Sequence, residues 1–199
     1  MAKIFFKGLL PAAFFLTVTI PAGAQHLYNI DTPHSSAQFS VEHLMISKVN
    51  GEFRKVSGTV FFDPAKPESD KIDAVIDATT VSTRDDQRDG HLKSDAFFDI
   101  AKYPTLTFKS TGASKEGGKL LVKGDLTLHG VTKPVTLEVQ GPTAEIKDPF
   151  GNLRVGASAS TKINRKDFGL VWNKALDGGG VMVGDEVTIT IDVELARKP

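Results

Sequence analysis

The chain has 199 residues, in which 24 lysines and arginines balance 24 aspartates and glutamates, and it has no cysteine. A neutral protein of this kind has no electrostatic case for nucleic acid or an anionic membrane surface, and disulfides or a lipid-modified cysteine anchor are excluded. The length suits one domain with a core of its own.

The N-terminus has the anatomy of an export signal. Lys3 and Lys7 are followed by the apolar run "GLLPAAFFLTVTI", too short for a comfortable membrane span, and then by small residues at Ala22 and Ala24. Cleavage is expected after Ala24, which removes residues 1–24 and leaves a domain of residues 25–199. Loss of the two lysines leaves 22 basic against 24 acidic residues, a net charge of −2. The expected product is a soluble protein of the bacterial periplasm or exterior with no transmembrane anchor.

From there the chain alternates with a period of two. "SAQFSVEHL" places Ala37, Phe39 and Val41 on one face, and "GEFRKVSGTVFFD" does the same with Val56, Val60 and Phe62. "KIDAVIDAT" is ambiguous, since both Val75 and Ile76 could point inward, while "PTLTFKS" offers Leu106 and Phe108. "GKLLVKGDL" leads into the clearest case, "GDLTLHGVTKPVTLEVQG". Here Leu126 and Leu128 share a face, and Val135, Leu137 and Val139 alternate with Thr136 and Glu138 beyond the turn region. That is a hairpin with one apolar and one wet side. "NLRVGASASTKI" and "EVTITIDVEL" complete about eight strands. Eight one-sided antiparallel strands pack as two sheets or close into a barrel whose interior holds side chains or one small ligand.

The residues between Thr80 and Pro104 are too many for a hairpin turn. Thr83 is placed to cap a helix with Asp85 and Asp86 in its first turn, and Ser94 to cap a second turn with Phe97 and Ile100 on one side. Pro104 ends it. A short helical connection with an aromatic face suits a plug over an open barrel end better than an active site.

The other polar features carry less. His34 and His43 are nine residues apart and match no metal-ligand spacing; His26 and His129 are isolated in the sequence, so no metal is expected. "DDQRDG" begins like a calcium loop but has Ala96 where a bidentate glutamate is required. Asp89 beside His91 could be acid–base machinery, but carboxylates this rich in local Arg and Lys more often form a solvated or capping network. There is no nucleophile elbow, and "DGGGVMVGDE" precedes a strand rather than opening a helix, so it is no phosphate loop.

Four stretches together resemble the YceI-like family, the bacterial lipocalin-like, polyisoprenoid-binding proteins. They are "HSSAQFSVEHLMISKVNGEF", "RDGHLKSDAFFDIAKYPTLTFKS", "GDLTLHGVTKPVTLEV", and "NRKDFGLVWN" followed by "VGDEVTITIDVEL". The resemblance runs from His34 to Leu195 and implies an all-β, eight-stranded antiparallel barrel, lipocalin-like, with a short helical connection covering one end. It further implies a long apolar cavity for an isoprenoid chain, in some members that of a quinone, or for another long-tailed lipid. Arg88, Asp89, His91 and Leu92, then Phe97, Phe98, Tyr103 and Pro104, match the covering segment; Asn164, Arg165, Asp167, Phe168 and Gly169 match a second turn. All are architecture markers.

The expected cavity lining joins Phe39, Val41, Val60, Phe62, Phe108, Leu126, Leu128 and Leu137, taken from the alternation, to Phe97, Phe168 and Trp172. The expected role is a non-catalytic, cofactor-free binder or carrier of an isoprenoid or other long-chain lipid. Two alternatives stand beside it: a lipid-modifying enzyme using Asp89 and His91, and a packed barrel acting through its surface in stress or adhesion. Self-association into a homodimer is left open.

Overall fold

Alternating strands bury one face each, and here they do so by curling around a shared interior. The computed structural model describes residues 26–197 except 64, 65, 67 and 68; the expected signal and its cleavage point lie outside the described residues. The first stave is made of β1 (His26–Ile30) and β2 (Ser36–His43), separated by a 3-10 turn at Thr32–His34. The second is β3 (Ser47–Phe53) continued by β4 (Val56–Phe62), and the third β5 (Lys71–Asp77) with the two-residue β6 (Val81–Ser82). Four more are unbroken: β7 (Thr105–Glu116), β8 (Lys119–Leu128), β9 (Val131–Gln140) and, after the short β10 (Ile146–Lys147), β11 (Leu153–Asn164). The eighth is β12 (Val183–Arg197).

Each stave pairs antiparallel with the next, and the ring closes through β12. On one side β12 runs along β11, from Asn164 opposite Glu186 to Leu153 opposite Arg197. On the other it meets β2, with Ile189 opposite Phe39, and then β1, with Leu195 opposite Ile30. This is the eight-stranded barrel that the alternation and the resemblance lead one to expect. The residues His26–Ile30 extend the first stave beyond "SAQFSVEHL", turning Tyr28 and Ile30 into the core. Pro33, which has no N–H for a ladder, sits in the turn that interrupts it.

The hairpin at 124–141 forms as expected, with a two-residue turn at His129 and Gly130, both at positive φ. The connection between β6 and β7 contains one α-helix, α1 (Asp86–Lys93). Its cap is Asp85, whose carboxylate accepts from the Arg88 N–H at 2.9 Å, and not Thr83 as expected. Thr83 is buried instead; its Oγ1 donates to Asp89 Oδ1 at 2.5 Å and its N–H to the same oxygen at 2.7 Å. The physical reason is that Asp85 already has extended backbone geometry one residue before the helix, which leaves Thr83 free to tie the preceding strand to it. Tight turns follow: Phe97 N–H donates to Ser94 O at 3.1 Å and Phe98 N–H to Leu92 O at 2.9 Å. They fold the aromatic pair back under the helix. Among the described residues no helix is long and apolar enough to cross a membrane.

Candidate functional site: an apolar cavity under the helix

The barrel interior differs between its two halves. Away from α1, Tyr28, Val122, Val155 and Leu195 are almost completely buried. Toward α1, inward-facing Phe39, Val41, Val187, Ile189 and Ile191 are only partly buried, because they border a void. That void has a volume of about 250 Å³. Its wall is overwhelmingly apolar, with a few charged or polar groups (Gln38, Glu42, His43, Arg88, His91, Thr161 and Arg165) among the aliphatic and aromatic ones.

Two glycines shape the wall. A Cβ on Gly51 would lie 2.2 Å from the Phe39 ring, and one on Gly124 would lie 2.4 Å from the ring of Phe108. Each aromatic ring therefore occupies the space that a side chain on the facing strand would take, which keeps the ring against the wall.

The end toward α1 is closed by rings. His91 lies edge-on to Phe97, with centroids 4.9 Å apart, and Phe97 lies 5.2 Å from Trp172. Behind them Phe98 meets Phe53 edge-on at 5.4 Å, and Phe53 meets Phe39 at 5.8 Å. The connection at 83–104 thus acts as a plug with an aromatic face.

Arg165 holds the second side of this end. It is 3% exposed, in a 3-10 turn spanning Arg165–Phe168. Its Nε donates to Gly184 O at 2.8 Å, Nη1 to the carbonyls of Leu170 and of Trp172 (the latter at 2.9 Å), and Nη2 to Val183 O at 3.3 Å and Asp185 Oδ1 at 3.4 Å. One guanidinium therefore joins the turn, the Trp172 segment and the start of β12. Burial pushes its pKa down, an effect opposed by the charge of Asp185. No sequence signal reveals this role, because backbone carbonyls carry no residue identity.

Of the residues expected to line a cavity, Phe39, Val41, Phe97, Phe108, Leu126, Leu128, Leu137 and Trp172 surround this one. Val60, Phe62 and Phe168 do not. Val60 and Phe62 face inward but lie on β4, opposite Tyr28 and His26, in the half remote from α1. Phe62 borders a second, more polar depression of about 850 Å³ at that far end, where Tyr28 donates to Glu145 and Arg197 Nε donates to the same carboxylate at 3.0 Å. Phe168 is packed in the core, 2% exposed, and its carbonyl lies 3.3 Å from His129 Nδ1. Residues not expected also line the cavity, including Phe53, Ile76, Leu106 and Ile163. Leu106 shares its alternating face with Phe108, so that signal was present.

Asp89 and His91 are not brought together as an acid–base pair. Asp89 Oδ1 accepts both bonds from Thr83, whereas His91 is held by Phe97 and Trp172. A cluster of Asp31, His34 and Glu194 has metal-ligating groups within reach of one another. Arg154 already occupies these carboxylates, donating to Asp31, to Glu194 Oε1 at 2.7 Å and to Asp148 Oδ2 at 2.6 Å. Its negative charge is thus partly offset from within the chain.

A YceI-like domain model matches residues 28–195, nearly the whole of the described barrel. The chain belongs to the YceI-like family. It is 38% identical over 187 residues to Protein YceI of Salmonella newport (strain SL254), covering 94% of each chain. Among solved structures, BcnA of Burkholderia cenocepacia superposes with a TM-score of 0.70 at 25% identity, over 83% of this chain and 98% of that one. A polyisoprenoid binding domain from Saccharophagus degradans, implicated in plant cell wall breakdown, superposes with a TM-score of 0.61 at 22% identity, over 87% and 100%. At that identity the last likeness speaks for the fold alone. Within the YceI-like fold, the apolar void under α1 is the candidate site of this member.

Proposed function

We propose that this protein is an exported, non-catalytic carrier that holds an isoprenoid-type or other long-chain lipid in the cavity under α1. The observation that carries the reading is the character of the cavity under α1: aliphatic and aromatic side chains surround about 250 Å³ there, whereas the depression at the far end is more polar. The energetics suit a slender apolar chain. A buried methylene contributes ~0.8 kcal/mol, so about twelve give on the order of 10 kcal/mol, against an association cost of ~4–15 kcal/mol. A tail longer than that can be held by hydrophobic burial with few polar contacts, and a lipid with negligible solubility needs such a carrier in an aqueous compartment. The isoprenoid chain of a quinone is one ligand of this shape. The description of the Saccharophagus domain as polyisoprenoid binding is consistent with the class.

Export rests on the signal-like residues 1–24, and processing there would leave Gln25 as the first residue. The deciding experiment is to purify the protein from the soluble exported fraction of its host, extract it with organic solvent and identify what is released by mass spectrometry. A long-chain lipid in near-stoichiometric amount, chemically unchanged after incubation, is the expected result, together with an N-terminus at Gln25. A folded protein with no lipid, and with no affinity for any added one, would defeat the carrier reading. Conversion of the lipid by wild type, lost in Asp89→Asn or His91→Gln, would replace it with an enzyme.

A further inference from the structure

Two guanidinium groups line the cavity, and they differ in one respect. Every N–H of Arg165 has an acceptor in the chain. Arg88 is only partly engaged. Its Nε donates to Thr83 Oγ1 at 2.7 Å and its Nη2 to Thr83 O at 3.0 Å. Its Nη1 makes no hydrogen bond, and the group makes no ion pair among the described residues. The neighbouring Asp89 carboxylate is turned to Thr83, whose N–H and hydroxyl both donate to its Oδ1, and it forms no hydrogen bond or ion pair with Arg88. The other ionisable groups on the wall are His91 on the same helix, Glu42 and His43 on β2, and Arg165. Thr83 thus fixes one edge of the Arg88 fork and leaves Nη1 without an acceptor in the chain, on a half-buried side chain that lines an apolar space.

A guanidinium with unused donors beside a low-dielectric cavity is costly if hydrocarbon alone fills that cavity. It becomes favourable if an acceptor oxygen meets it, because charge-assisted hydrogen bonds are the strong ones and a fixed fork loses little freedom on forming them. We propose that Arg88 seats the oxygen-bearing end of an amphiphilic ligand, whose head lies under α1 and whose tail runs along Phe108, Leu137 and Ile191. The inference rests on the lipid-cavity reading above and specifies the class of lipid: a long chain ending in a carboxylate, carbonyl, phenol or phosphate oxygen, not a plain hydrocarbon.

The test compares hexadecanoate, hexadecan-1-ol and hexadecane, which share a chain and differ in the head, on delipidated wild type and on Arg88→Met. Arg88→Met should weaken hexadecanoate by about tenfold or more and hexadecan-1-ol by less, with hexadecane unchanged or slightly tighter. Equal effects on all three, or none on any, would overturn the role of Arg88 while leaving the cavity reading intact. Failure of wild type to bind any of the three would overturn both. Acetate supplies the head without the tail, and acetate binding as tight as that of hexadecanoate would show a free-anion site instead. In wild type, where folding is not in question, the Arg88 side-chain N–H resonances should shift with hexadecanoate and stay in place with hexadecane. The same shift with both probes counts against the inference.

Discussion

His91 stands edge-on to Trp172, the ring centroids 4.9 Å apart and the planes at 89°. His91 meets Phe97 in the same way, at 86°. The exposed imidazole is therefore wedged between the two aromatic rings that close the cavity, one from the helical plug and one from the segment after Arg165. Trp172 is the only tryptophan in the chain, so its fluorescence reports on this closure directly.

The first prediction uses that reporter. Adding lipid to stripped protein should shift Trp172 emission to shorter wavelength as water leaves the indole. His91→Ala removes the wedge without touching the barrel, so dissociation should quicken by about two- to tenfold while association changes little. Stopped-flow fluorescence during transfer of lipid to vesicles measures both. An unchanged dissociation rate would mean that the ligand leaves by another route.

Arg165 sets the second. Replacing it with methionine keeps the apolar stem and removes the donors that a 3%-exposed side chain now offers to the carbonyls of Gly184, Leu170 and Trp172; the Val183 carbonyl keeps its bond from Asn173 Nδ2 at 2.8 Å. The expected loss is about 2–5 kcal/mol by chemical denaturation. Arg165→Lys should recover little of it, since an ammonium cannot direct donors to acceptors spread around a planar fork.

These two side chains mark where sequence reading stops. Alternation told which residues face inward, because a strand has only two faces, and Phe39, Val41, Leu126 and Leu128 border the cavity. It could not tell their height along the barrel. Val60 and Phe62 face inward as expected, yet the chain breaks and shifts near Arg54 and Lys55, so they belong to the half remote from α1. The helix after Thr83 was legible from its charges and the plug from its aromatic residues. The change of cap to Asp85 and the capture of carbonyls by Arg165 were not, since both depend on backbone geometry rather than on residue type.

The third prediction concerns acid. Arg154, through its hydrogen bonds, is the main cause holding the carboxyls of Asp31 and Asp148 below the usual range; His34 adds to the effect at Asp31 and Asn152 at Asp148. With a folded pKa below the unfolded one, the unfolded chain takes up the proton first as pH falls. The stabilisation is therefore complete above about pH 4, the ordinary carboxylate value, and is lost as pH drops toward the folded values. Melting temperature should fall steeply between about pH 4 and pH 2 in wild type. Asp148→Asn should lower it at neutral pH and flatten this acid limb. A parallel displacement with the limb unchanged would assign the acid sensitivity elsewhere.

The fourth prediction separates a hollow interior from a packed one by adding bulk on either side of the boundary. Leu128 lines the cavity beneath α1, whereas Val56 is 2% exposed in the core and lines neither that cavity nor the depression at the far end. Val56→Phe should cost ~1–3 kcal/mol, because close-packed neighbours must move or leave their rotamers. Leu128→Trp puts its added volume into empty space, so stability should stay within about 1 kcal/mol of wild type and the amount of lipid retained should drop. Chemical denaturation and lipid quantification on the two variants read both quantities. Equal destabilisation would mean that the interior under α1 relaxes no better than the core. A tolerated Leu128→Trp with undiminished lipid would place the ligand outside the cavity. The contrast is decisive because both residues are buried and apolar, and they differ chiefly in whether the space beyond the side chain is filled.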